Sequence, residues 1–197
     1  MKNFREKFEA NYVAVQEPCS NRKGFKTVYH YCGPWYSWKL TSEQRRNSKL
    51  FIGIAGMLNA VFYILFSILQ AEINLVIYFV VPATLSLIAL IFEELGIVQF
   101  CIQKEKMTEI DFESIAGKIK IASPIHAVLL VGAILSGVYY LIVESFTGGS
   151  LLVIFGYTVC VVLSIYIFGK YKSIPFYSEK NPLRRQLEAE EEKDEAE

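Results

Sequence analysis

Four apolar runs of about 20 residues each, 50–69, 73–92, 124–143 and 150–169, organise the chain. At ~1.5 Å of rise per residue, a helix of that length crosses the ~30 Å hydrocarbon layer of a bilayer. The pattern therefore predicts an all-α integral membrane protein with four transmembrane helices. The first two runs are separated by three residues (70–72) and the last two by six (144–149). Connections that short make each pair an antiparallel hairpin.

Basic residues are distributed unevenly around these runs. Ten Lys and Arg precede the first run, four lie in 93–123, six follow the fourth, and the two short gaps hold none. Cytoplasmic segments retain Lys and Arg, so an N-in, C-in topology is expected, with residues 93–123 a cytoplasmic loop. Arg45, Arg46 and Lys49 stand at the mouth of the first span, where they set its orientation and meet anionic headgroups. The expected division is a head (1–41), a membrane domain (42–169) and an acidic tail (170–197). The seven acids and single Lys of 188–197 read as a solvated charge run.

Outside the spans the pattern changes. Tyr12–Pro18 and Phe25–Tyr31 are strand-like runs around a turn-rich centre, giving a possible β-hairpin in the head. Trp35, Tyr36 and Trp38 follow a Gly-Pro break and read as interfacial aromatics seated at the headgroups, or as a platform for a partner. Thr41 or Ser42 is a natural N-cap for the first span. Thr108 and Asp111 resemble a capping box opening an amphipathic helix over 109–120, expected to lie on the membrane interface. Pro82 falls near the middle of the second run and is expected to kink it.

The second hairpin lies on the first at an offset of 77 with no gap, and six of the 21 positions from 58 to 78 are then identical. The offset also superposes Gly56-x-x-x-Ala60 on Ala133-x-x-x-Gly137. A duplication would give two parallel repeats about an axis along the membrane normal. Small residues four apart let helix backbones approach closely.

The 197 residues carry 20 bases and 20 acids, and bases spread along a membrane face do not favour nucleic-acid binding. Cys19, Cys32, Cys101 and Cys160 are expected to be reduced thiols in this topology. Cys19, His30 and Cys32, completed by Cys101 or His126, form only a broken zinc pattern, and no cofactor is expected. There is no Gly-rich phosphate loop and no nucleophile elbow. The absence of Asn-x-Ser/Thr sequons and the richness in Ile, Lys, Glu, Phe and Tyr suggest a bacterial cytoplasmic membrane.

No run holds an ionisable residue away from its ends, whereas transport pathways depend on such groups at depth. Small multidrug transporters share the four-helix plan but use a mid-membrane carboxylate, so that resemblance fails on these runs. Asn59 is the one strongly polar side chain near mid-run. Glu93 and Glu94 sit at the end of the second run, where pairing with Arg45, Arg46 or Lys49 is expected. His126 lies at a comparable depth on the third.

The expected function is that of a non-enzymatic accessory, scaffold or regulatory membrane protein acting through its cytoplasmic face. Its expected partners are the lipid bilayer and another membrane protein or further copies of itself. One alternative is a transporter or channel component completed by oligomerisation, its path lined by Asn59, Pro82, Thr84 and Ser86. The other is a lipid-modifying enzyme using Glu93, Glu94 and His126.

Overall fold

The computed structural model describes residues 4–18, 24–144 and 146–184. The acidic run 188–197 and Cys19 lie outside them. The elements in chain order are α1 (Phe4–Asn11), β1 (Tyr12–Pro18), β2 (Phe25–Tyr31), β3 (Trp35–Trp38), α2 (Ser42–Ser67), α3 (Ile77–Ile102), β4 (Lys106–Met107), α4 (Glu109–Gly117), α5 (Ser123–Val143), α6 (Gly148–Lys172) and β5 (Phe176–Glu179). They fall into two compact units, one holding residues 1–38, 104–112 and 176–197, the other 39–103 and 113–175.

Among the described residues four helices are long and apolar enough to cross a membrane: Ser42–Ser67, Ile77–Ile102, Glu109–Val143 and Gly148–Lys172, all in the second unit but for the first turn of the third. They pack in a ring in the order α2, α3, α5, α6 and back to α2. Neighbours run antiparallel, as their contacts show: Tyr63 meets Ala83 while Lys49 meets Gln103.

Local chemistry sets the helix ends. Thr41 caps α2, its hydroxyl accepting from Gln44 N and the Gln44 amide oxygen accepting from Thr41 N, both at 3.2 Å. Such a reciprocal cap contributes about 1 kcal/mol. The second span starts later and ends later than its apolar run. Glu72–Leu75 forms a 3₁₀ turn, tucking Ile73 fully inside, and α3 then runs on to Ile102. The helix over 109–120 also differs from expectation. It is not a separate interfacial helix: α4 passes through a π turn, Lys118–Ala122, directly into α5. Gly96 permits this, because a Cβ there would lie 2.8 Å from Lys118 Cβ and 2.9 Å from Ile119 Cγ1.

Small residues close the bundle where the spacing predicts. A methyl on Gly137 would come within 2.9 Å of Ile73 Cδ1 and 3.0 Å of Ile154. Gly156 gives up its side-chain space to the ring of Phe66, which any Cβ would overlap. Ile52, Phe79, Leu130, Ala133, Val153 and Ile167 fill the interior without exposure.

In the first unit, β1 and β2 form the expected antiparallel hairpin, with Tyr12 opposite Tyr31 and Val15 opposite Val28. A second sheet has β3 at its centre, flanked by β4 and β5. Trp35, Tyr36 and Trp38 are thus strand residues in an aromatic core. Tyr36 stacks on Phe112 with centroids 4.3 Å apart, and Trp38, almost fully buried, packs on Phe176. The sheet recruits residues from three stretches of sequence, one of them beyond the fourth span.

Tyr31 ties this unit together. Its hydroxyl donates to Pro34 O (2.6 Å) and accepts from Glu109 N (2.9 Å), while Asn181 donates to its carbonyl (2.7 Å). Burial is the main cause that pushes its phenol up from 10.0 to about 12.

Two outcomes follow. Gly156→Ala should lower unfolding stability in detergent by about 1–3 kcal/mol through overpacking, and Phe66→Leu in the same chain should restore part of it. Because the folded-state pKa of Tyr31 is raised, its contribution is complete below pH 10 and lost as pH rises toward about 12. Near-UV circular dichroism of the aromatic head should decline in that window in the wild type, and less steeply in Tyr31→Phe.

Candidate functional site

Asn59, Ser164 and Glu93 form a hydrogen-bonded line through the interior of the bundle. The Asn59 Nδ2 donates to Ser164 Oγ (2.9 Å), and Ser164 Oγ donates to Glu93 Oε2 (3.2 Å). All three are completely buried. The line joins α2, α6 and α3. Ser123, at the start of α5 and equally buried, stands beside the same carboxylate, so each of the four spans presents a polar group.

The helices bring these groups together by periodicity. Asn59 and Tyr63, one turn apart, share the inner face of α2, and Cys160 and Ser164 share that of α6. On α3 the buried stripe reads Phe79, Ala83, Ser86, Leu90, Glu93, Ile97 and Phe100, alternating steps of three and four. Glu93 is seven residues after Ser86, and so falls on the same inward seam.

Partners fix its depth. Ser164 lies within the fourth apolar run and Asn59 near the middle of the first, so the carboxylate they reach is enclosed by apolar helix on every side. The expectation that no ionisable group occupies such depth is therefore revised. The run ended at Phe92, but the helix does not, and the next residue points inward.

Neither acid forms the expected pair with Arg45, Arg46 or Lys49. Among the described residues the Glu93 side chain accepts a hydrogen bond from Ser164 alone, and its Oε1 has none. Lys49 Nζ donates to the backbone carbonyl of Gln103. Arg46 is exposed on the first turns of α2. Glu94 turns away from Glu93 toward α2, where its carboxylate lies against Gly56.

His126 joins a neighbouring layer. Its Nδ1 donates to Ser86 O (2.9 Å), which sets the tautomer and leaves Nε2 without a hydrogen bond. Ser86 Oγ and Tyr63 Oη both donate to Ala83 O, at 2.7 and 2.6 Å. Tyr63 stacks on Tyr157, whose hydroxyl is 3.0 Å from Ser67 Oγ. These last residues line a cavity of about 180 Å³ with Asn74, Phe79 and Thr84. These groups form a polar layer beside the Asn59–Ser164–Glu93 line, and among the described residues no hydrogen bond joins the two.

Several expected groupings do not assemble. Asn59 and Ser86 point inward, but Thr84 is exposed and Pro82 faces Gly132 on α5, so the four do not line one path. Glu93, Glu94 and His126 do not converge: among the described residues, no three His, Cys, Asp or Glu are placed to hold a metal ion. Cys32, Cys101 and Cys160 are free thiols. Ser123 carries the site without having been singled out from the sequence, whereas Ser164 was legible there as the last of the small residues Gly156-x-x-x-Cys160-x-x-x-Ser164 on one face of the fourth run. Their signal was periodic, since each belongs to the small-residue seam of its helix.

Comparison with known proteins adds no family. No protein-family model, no curated protein and no solved structure matches the chain.

Ser164→Ala should leave the Asn59 amide and the Glu93 carboxylate without their shared partner. Buried groups stripped of a hydrogen bond cost about 1–3 kcal/mol, so unfolding in detergent should shift by that amount. Ser136→Ala, which removes only a bond to the backbone of its own helix, should shift it far less.

Proposed function

We infer that the chain is a component of proton-coupled transport, in which Glu93 takes up and releases a proton inside a four-helix membrane bundle. One observation carries this reading: a fully enclosed carboxylate that, among the described residues, has a single hydrogen-bond donor and no basic partner. Bare charge in such surroundings costs several kcal/mol, and is retained in membranes mainly where it works. A carboxylate that must share its charge, with no Lys or Arg to share it with, is suited to carry a proton. Asn59 and Ser164 orient it. The hydroxyl and phenol groups of Ser67, Tyr63 and Tyr157 around the cavity of about 180 Å³ mark the side from which a proton would approach.

The proposed topology has both termini on the cytoplasmic side of a bacterial cytoplasmic membrane. The distribution of Lys and Arg among the flanking segments supports it. The carboxylate layer then lies in the cytoplasmic half of the bundle, and the cavity in the opposite half.

The reading as an accessory or scaffold protein rests on a different observation. Phe25 and Tyr29 are exposed on one face of the head hairpin, 46% and 57% accessible, a surface suited to a partner. The two roles are compatible in one chain.

Infrared difference spectroscopy in lipid, titrated over pH, tests the proton reading without knowledge of a substrate. The wild type should show a carboxylic-acid band that gains and loses intensity reversibly. Glu93→Gln should lack it, while Glu94→Gln should retain it. An identical titration in wild type and Glu93→Gln would show that Glu93 is a fixed structural group.

A further inference from the structure

A second feature of the bundle is independent of Glu93. Between α3 and the α4–π–α5 span runs a groove of about 480 Å³. Its walls are apolar, with Leu85, Ile88 and Phe92 on one side and Ile121 and Ile125 on the other, each 47–61% exposed, over the buried Ala89 and Ala122. At one end stands a single charge, Lys118. Its ammonium donates to Gln99 Oε1 (2.7 Å) and Ser114 Oγ (3.2 Å), both neutral, and among the described residues no acid pairs with it. An ammonium has three donors, so one remains for a further oxygen.

The backbone at this point is unusual. Lys118 opens the π turn, and extra-residue turns of this kind widen a helix locally and recur at functional positions. Gly117 leaves open space at the same end: a Cβ there would meet nothing within 4 Å. The result is a long apolar trough closed at one end by a cation whose charge is held in place but not neutralised.

We propose that this groove binds one anionic phospholipid, its acyl chain lying between α3 and α5 and its phosphate on Lys118. Charge complementarity selects the occupant. A zwitterionic headgroup carries its own cation and gains little from Lys118, whereas a phosphate of net negative charge gains a charge-assisted bond beside a low-dielectric wall. A soluble anion lacks the chain that the groove accommodates.

The test uses the full chain in mild detergent, with phosphatidylglycerol or phosphatidylcholine of identical acyl chains added. Retained lipid is read by native mass spectrometry and the thermal shift by unfolding. Wild type should retain phosphatidylglycerol at least tenfold better than phosphatidylcholine. Lys118→Gln should erase that preference and Lys118→Arg should restore it. Gly117→Leu, whose side chain enters open space, should lose retention of both lipids without loss of fold. Lys120→Gln should behave as wild type, since Lys120 lies over the Tyr171 ring at 6.0 Å and does not line the groove. Equal retention of the two lipids, a preference surviving in Lys118→Gln, a thermal shift reproduced by inorganic phosphate alone, or equal loss in Lys120→Gln would each overturn the proposal.

Discussion

Polar groups enclosed by apolar helices have no water to turn to, and the bundle is arranged around that constraint. Glu93 is its severest case. An enclosed carboxylate requires donors nearby, and these come from Ser164, reached in turn by Asn59. The geometry fixes how α2, α3 and α6 register against one another, because a slip of one residue on any of them would turn its polar group away from the line. The small residues serve the same end. Gly56, Gly96, Gly137 and Gly156 remove side chains where a neighbouring helix or turn must come close enough for short polar side chains to meet.

The polar interior also distinguishes the two halves of the proposed duplication. At an offset of 77, Asn59 corresponds to Ser136, which bonds to its own helix at Gly132. Glu93 corresponds to Lys170, close to the end of α6. Whatever common pattern the hairpins share in their apolar residues, the polar network belongs to one arrangement only. A protein built merely to fill a membrane has no need of that asymmetry, whereas a site has.

Much of this could be read from the chain, and the failures have physical causes. Four spans, the Thr41 cap, the hairpin and the small-residue seams followed from periodicity and turn chemistry, which are local. Glu93 was misjudged in its surroundings, not its helix: the helix was expected to run on through Glu93 and Glu94 to about Gln103, and it reaches Ile102, but Glu93 was placed at a solvated end and not on the inward seam. A 3₁₀ turn at Glu72–Leu75 draws Ile73 inward and the helix opens only at Ile77, so the apolar run and the helix do not share their bounds. Adjacent glutamates then separate by about 100° around the axis, one to the interior and one to the α2 side. The seven-residue step from Ser86 to Glu93 was the available signal. The aromatic sheet was illegible for another reason: β3 pairs with residues some 70 and 140 positions later, and no local pattern announces partners so distant.

Chemical labelling of carboxylates tests the enclosure of Glu93 most directly. A water-soluble carbodiimide with an amine, applied to the folded chain in detergent and read by peptide mass spectrometry, should modify exposed Glu105 and Glu113 within the same short exposure. Glu93 should remain unmodified until the bundle is unfolded. Modification of Glu93 in the folded protein at the rate of Glu113 would contradict the account, because a carboxylate open to water needs neither Ser164 nor a proton to be stable.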